Sequence, residues 1–125
     1  MMIKGISLTH IFIDCKDPRD LQDFYHKLTG LEKCAQYDLP GLRLEQGLML
    51  LFQMCDVAYI PPVWPEEAGR QQKQMHLDFR VDDLDAAVEA AEELGATKAA
   101  YQYGGNRWVT LFDPEGHPFC LGIDE

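Results

Sequence analysis

The chain has 125 residues, 46% of them hydrophobic and 26% charged, enough for a soluble domain with a core of its own. Its net charge is -10 and its pI about 4.7. An acidic surface repels phosphate backbones and anionic lipids, which argues against nucleic acid or a membrane surface as a partner. No apolar run approaches the ~18 residues needed to span a bilayer, and the N-terminal stretch does not read as a signal peptide. The four cysteines, Cys15, Cys34, Cys55 and Cys120, form neither a CxxC pair nor a metal knuckle. The expectation is a cytoplasmic protein with free thiols.

The first element is a strand at His10-Ile11-Phe12-Ile13-Asp14, where apolar residues alternate. Asp17-Pro18 then caps a helix whose apolar residues, Leu21, Phe24, Tyr25 and Leu28, fall at i, i+3, i+4 and i+7. Gly30 stops it. Leu42-Arg43-Leu44-Glu45 alternates as a strand, Gln46-Gly47 turns, and Leu48 to Gln53 forms the next strand. Met54 to Gln74, with Pro61-Pro62 and Trp64-Pro65, is too long for an ordinary loop and reads as a linker or a flap. Trp64 is expected to anchor it.

The pattern then repeats. His76-Leu77-Asp78-Phe79-Arg80-Val81 opens a second strand, 66 residues after the first. Asp82-Asp83 starts a helix carrying Leu84, Ala87, Val88, Ala91 and Leu94, and Gly95 stops it. From strand histidine to terminating glycine is 20 residues in one copy and 19 in the other. Thr97 to Tyr103 is a candidate strand, Gly104-Gly105-Asn106 a turn and Arg107 to Phe112 a strong strand. Asp113-Pro114-Glu115-Gly116 is a turn, and Phe119 to Gly122 is the last strand. The fold class is therefore α+β: two βαβββ modules whose mixed sheet curls around a cleft, with the helices on its outer face. One domain spans 1–125, with module one at about 6–54, a linker at about 55–74 and module two at about 75–123.

Strand alternation sorts the side chains between the helix-packed face and the other face. Ile11, Ile13, Leu48, Leu50, Phe52, Leu77, Phe79, Val81, Val109, Leu111, Phe119 and Leu121 are assigned to the packed face. The open face then collects His10, Phe12, Asp14, Met49, Leu51, Gln53, His76, Asp78, Arg80, Trp108, Thr110, Phe112 and Cys120. Apolar walls with a few polar groups suit a small-molecule pocket. His26 and His117, on a helix and a turn, are expected in solvent. Ser7 is the sole serine, so no serine–histidine–acid set exists, and no phosphate-cradling glycine motif occurs.

Three stretches carry a family resemblance: Leu50 to Gln53, His76 to Leu84, and Trp108 through the Asp-Pro-Glu-Gly turn to Cys120. With them the chain resembles the vicinal oxygen chelate superfamily of glyoxalases and bleomycin-resistance proteins, most closely its glyoxalase-like branch. The resemblance implies two βαβββ modules around a cleft, a homodimer and, in metal-dependent members, ligands on the first and last strand of each module. Carried over, those ligands are His10, Gln53 (or Leu51, two residues away), His76 and Cys120. The last position holds a glutamate in catalytic members. With glutamine and cysteine instead, the metal-bound carboxylate that moves protons is missing, and no catalytic residue can be assigned.

Two functions remain from the sequence. One is a small-molecule-binding protein with a divalent metal (zinc-like, nickel, manganese or iron), extending to a metal-dependent lyase or dioxygenase. The other is a metal-free, ligand-sequestering protein like the bleomycin-resistance proteins. Phe12, Asp78, Arg80, Trp108, Phe112 and Trp64 are the expected ligand contacts. The acidity of the chain favours a cationic ligand at long range.

Overall fold

The computed structural model describes residues 3–123. The chain forms two compact units that meet between Val57 and Ala58 in sequence. The first unit holds β1 (His10–Cys15), α1 (Pro18–Thr29), β2 (Lys33–Gln36), β3 (Leu39–Arg43) and β4 (Met49–Met54). The second holds β5 (Leu77–Arg80), α2 (Leu84–Glu93), β6 (Thr97–Lys98), β7 (Trp108–Phe112) and β8 (Pro118–Gly122). Each unit is a βαβββ module with one four-stranded mixed sheet, ordered β1-β4-β3-β2 and β5-β8-β7-β6. The first strand of each module lies parallel to its last, and the other pairs are antiparallel.

Both helices start on the predicted caps. The Asp17 carboxylate accepts the Asp20 N–H with Pro18 at the first turn, and Asp83 accepts the Ala86 N–H. α1 ends at Gly30, whose φ of 76° is left-handed. Leu21, Phe24 and Tyr25 are buried against β3 and β4, and each contributes about 1.5–3 kcal/mol by leaving water. The stripe on α2 is shallower. Ala91 is its one buried residue, and Leu94, expected inside, is 37% exposed beyond the last turn.

Several expectations fail for local reasons. The strand β2 was not anticipated. It pairs with β3 through a two-residue Tyr37-Asp38 turn with both φ positive, a geometry usually announced by Asn-Gly. Leu51, assigned to the open face, is fully buried. Its partner across the ladder is Gly41, where a Cβ would stand 2.5 Å from Leu51 Cδ2, so the leucine sinks into space that a side chain would fill. Ile11, assigned to the core, is 40% exposed. His26 is half-buried, with Nδ1 2.8 Å from the Leu31 carbonyl beyond the helix end. His117 is buried: Nδ1 lies 3.0 Å from Asp113 Oδ2, and Nε2 lies 3.2 Å from the Tyr59 hydroxyl. The Asp113 carboxylate also accepts the Glu115 and His117 backbone N–H groups and so ties the predicted turn together.

Thr97 to Tyr103 is a strand only at Thr97–Lys98. Beyond it, a side chain takes over the pairing. The Gln102 amide donates to the Ala99 and Thr110 carbonyls and accepts the Thr110 N–H at 2.9 Å, as a peptide group would. The linker residues from Ala58 onward belong to the second unit, with Tyr59 donating to the Glu115 carbonyl. Trp64 rests against Tyr101 and Tyr103, with centroids at 5.5 and 5.4 Å, which places it as the expected anchor.

The Gln102 bridge predicts that Gln102→Leu, which leaves the Thr110 N–H unpaired, lowers unfolding free energy by about 2 kcal/mol in urea titrations. An unchanged midpoint would show that the bridge adds nothing.

Candidate metal centre and ligand pocket

The parallel pairing of β5 with β8 places Asp78 directly opposite Cys120. His76 precedes β5 by one residue and lies two residues before Asp78, so strand alternation puts it on the same face. The three side chains converge. His76 Nε2 is 3.1 Å from Cys120 Sγ and 3.3 Å from Asp78 Oδ1, and one ligand atom from each lies within 4.8 Å of the others. On β7, Thr110 pairs with Cys120 across the antiparallel ladder, and its hydroxyl is 3.3 Å from the sulfur.

Cys120 is 4% exposed beneath this polar rim. Burial raises its thiol pKa above the ordinary value, and the Asp78 charge pushes in the same direction. The Tyr103 phenol is raised as well, first by burial and then by Cys120. The thiol is thus held neutral at physiological pH.

Above the three lies a cavity of about 430 Å³, lined by His76, Asp78, Arg80, Tyr103, Arg107, Trp108 and Cys120, with Phe79 and Gly122 behind. The Trp108 indole is fixed by a close approach: a Cβ on Gly104 would come within 2.6 Å of the ring. Arg107 Cζ stands 5.8 Å from the Trp108 ring centroid.

The structure gathers some of the predicted residues and separates others. His76, Asp78, Arg80, Trp108 and Cys120 meet at this cavity. His10 is in the first module, with Nε2 3.0 Å from Gln36 Oε1 and Nδ1 2.9 Å from Thr9 Oγ1. Gln53 pairs with Asp14, four residues along the ladder from His10 and roughly 13 Å away at strand rise. Asp78 faces Cys120 in module two as Phe12 faces Leu51 in module one, so the position in module one equivalent to Cys120 is Leu51, two residues before Gln53. Phe12 is 46% exposed, and Phe112 sits at the far end of β7 opposite Pro118, outside the cavity lining. Trp64 reaches the site indirectly, through its ring contact with Tyr103. Sequence reasoning missed Tyr103, because its segment read as a strand, and Arg107, whose signal was its place beside Trp108.

Two βαβββ modules, each with one four-stranded mixed sheet, define the class of fold. A glyoxalase-like domain model matches residues 10–122, and the chain belongs to this glyoxalase-like family. Among solved structures it is similar to a glyoxalase/bleomycin resistance protein/dioxygenase family enzyme from Burkholderia phytofirmans PsJN, at 20% identity over 93% of this chain and 97% of that one, TM-score 0.66. It is similar to a variant of the fosfomycin resistance protein FosX from Listeria monocytogenes, complexed with Mn(II) and 1S,2S-dihydroxypropylphosphonic acid, at 18% identity over 99% and 95%, TM-score 0.67. It is also similar to the oxidase ChaP-H2, at 20% identity over 97% and 95%, TM-score 0.63. These likenesses establish the fold, and the activities of the neighbours differ from one another. No curated protein matches the chain. No helix among the described residues is long and apolar enough to cross a membrane.

The raised thiol pKa has a consequence for stability. Below about pH 8.5 both folded and unfolded chains keep the Cys120 proton, and the full stability is present. Above it the unfolded chain loses its proton first, so stability falls as pH rises through the folded value. Urea midpoints of the metal-free protein are expected to drop between pH 8 and 10, and to drop less in Cys120→Ala. Parallel curves for the two proteins would contradict the assignment.

Proposed function

We propose that the chain binds a small molecule in the second-module cavity, beside a divalent metal ion held by His76, Asp78 and Cys120. The observation that carries this reading is the convergence of an imidazole, a carboxylate and a thiol on one point. Asp78 and Cys120 both approach Nε2 of His76. In a nucleophile relay the acid would instead orient the imidazole through Nδ1. Two ligand groups that meet the same nitrogen form an arrangement that a shared cation would bridge. The donor set fits: zinc accepts nitrogen, oxygen and sulfur ligands, and three protein ligands leave a fourth position for a guest. A bound ion supplies Lewis-acid polarisation of a ligand oxygen there.

The chain's own residues do the rest. Thr110 contacts the sulfur of Cys120 through its hydroxyl at 3.3 Å. Trp108 and Tyr103 form aromatic walls of the cavity. The first module offers one donor, His10, at the three equivalent positions, beside Phe12 and Leu51, so its own face supports no such centre. All four cysteines are free thiols, which supports the reducing, cytoplasmic setting. Ile3, Ile6 and Leu8, each about 70% exposed, are apolar surface that supports a homodimer.

Untagged protein is expected to take up about one equivalent of zinc by elemental analysis and calorimetry. His76→Ala and Cys120→Ala should each weaken binding at least about ten-fold. No saturable uptake of zinc, nickel, manganese or iron(II) would sink the metal centre and leave a metal-free binding protein. Light scattering at micromolar concentration should give twice the 14.3 kDa chain mass; a monomer would refute the dimer.

A further inference from the structure

We propose that His117 is held as an imidazolium and serves as a pH-sensitive catch on the linker, fastening the segment that seats Trp64 against the cavity wall and releasing it as pH rises. The catch stands apart from the metal centre and its ligand, since neither His117 nor Asp113 lines the cavity.

Both ring nitrogens of His117 face oxygens that act as acceptors. On one side is the Asp113 carboxylate, with Oδ1 3.2 Å and Oδ2 3.0 Å from Nδ1. The same carboxylate accepts the Glu115 and His117 backbone N–H groups at 2.8 and 3.0 Å, which is how an ionised acid bonds. On the other side is Tyr59 Oη, 3.2 Å from Nε2. A phenol has one hydrogen, and Tyr59 donates it to the Glu115 carbonyl at 2.8 Å. The phenol oxygen therefore meets Nε2 as an acceptor, and Nε2 needs a proton of its own. A neutral imidazole has one N–H and leaves one of these contacts as a clash of lone pairs. The imidazolium fills both.

Burial points the same way. The Asp113 side chain is fully buried and that of His117 is 9% exposed. A carboxylate sealed from water is strongly destabilising unless a countercharge stands beside it. The titratable groups against the His117 ring are Asp113, on its own turn, and Tyr59, on the linker; Glu115 enters through its backbone carbonyl.

The linker also meets this turn at Pro61, whose Cβ stands 3.0 Å from where a Cβ on Gly116 would lie. Three residues on, Trp64 packs on Tyr101 and Tyr103, and Tyr103 lines the cavity. As pH rises, the proton on Nδ1 stays with the Asp113 carboxylate and Nε2 empties. The Tyr59 hydroxyl must then turn to Nε2 and leave the Glu115 carbonyl, or keep the carbonyl and face a bare nitrogen. Either way the catch loses one hydrogen bond. A proton held more tightly in the folded chain contributes its full stability below the ordinary imidazole value, roughly pH 6.5, and that contribution is lost as pH rises through the folded value. The linker is thus fastened at neutral pH and freed on the alkaline side.

The test uses full-length, metal-free protein, isotope-labelled on its histidine ring nitrogens and carrying fluorotryptophan, followed by NMR while pH is raised from roughly 6 to 10. His117 is assigned by His117→Asn, or by through-bond correlation if that variant does not fold. It should carry a proton on both ring nitrogens at neutral pH and lose the one on Nε2 above the exposed-imidazole value. The Trp64 fluorine resonance, told from that of Trp108 by Trp108→Phe, should move in step with it. Tyr59→Phe keeps the Asp113 bonds of the turn. In it the His117 titration should fall by about one pH unit, comparable to one charge-assisted hydrogen bond, and the Trp64 resonance should stay at its high-pH position throughout. A bare His117 nitrogen at neutral pH, a Trp64 resonance that does not follow the ring, or a His117 titration unchanged in Tyr59→Phe overturns the proposal.

Discussion

In each module the first and last strands run side by side in parallel, and everything at the site depends on that pairing. A parallel pair fixes which residue of one strand stands level with which residue of the other. It cannot be made by a tight turn, so the helix and the two intervening strands must be crossed before the ladder closes. In the second module this brings position 78 level with position 120, across more than forty residues of sequence. A shift of one residue would send Cys120 to the opposite face and dissolve the cluster.

The burial of Cys120 sets the chemistry of the cluster. A thiol sealed under Tyr103, Thr110 and a histidine is kept neutral by desolvation, so in the metal-free state it is a poor nucleophile. The imidazole and the carboxylate of the cluster stay open to solvent, within reach of an incoming cation. A thiol near a metal ion loses its proton outright, and the desolvation that suppresses the thiolate in the metal-free protein strengthens its attraction to a cation. One physical fact therefore disfavours a relay mechanism and favours coordination.

The two modules share a scaffold and divide its uses. Their caps, crossover helices and ladders correspond, and so do His10 and His76. Around those histidines the side chains diverge. Phe12 and Leu51 occupy the positions of Asp78 and Cys120, and His10 is held instead by the Gln36 and Thr9 side chains. The two modules present equivalent sheet faces, and the side chains at two ladder positions give donor chemistry to one of them.

The local signals were legible in sequence: the aspartate caps, the αL glycine, the strand periodicity, the repeat and hence the α+β class with its two βαβββ modules. Each is written within a few residues, where propensity and periodicity act. The pairing registers were not legible, and they decided the site. Alternation put His76, Asp78, Arg80 and Trp108 on one face, and they line one cavity, but it could not tell Gln53 from Leu51 as the equivalent of Cys120, since both lie on the same face two residues apart. The Tyr37-Asp38 hairpin and the Gln102 side chain that continues a strand carry no standard signature, and the buried His117 depends on Tyr59, far away in the chain. The sequence by itself determined which residues could be ligands and on which face of each strand they lie, because side-chain direction follows from backbone period. Only the tertiary structure decided which of them meet, because that depends on hydrogen-bonded register between strands distant in sequence, and register is a property of the closed ladder rather than of either strand.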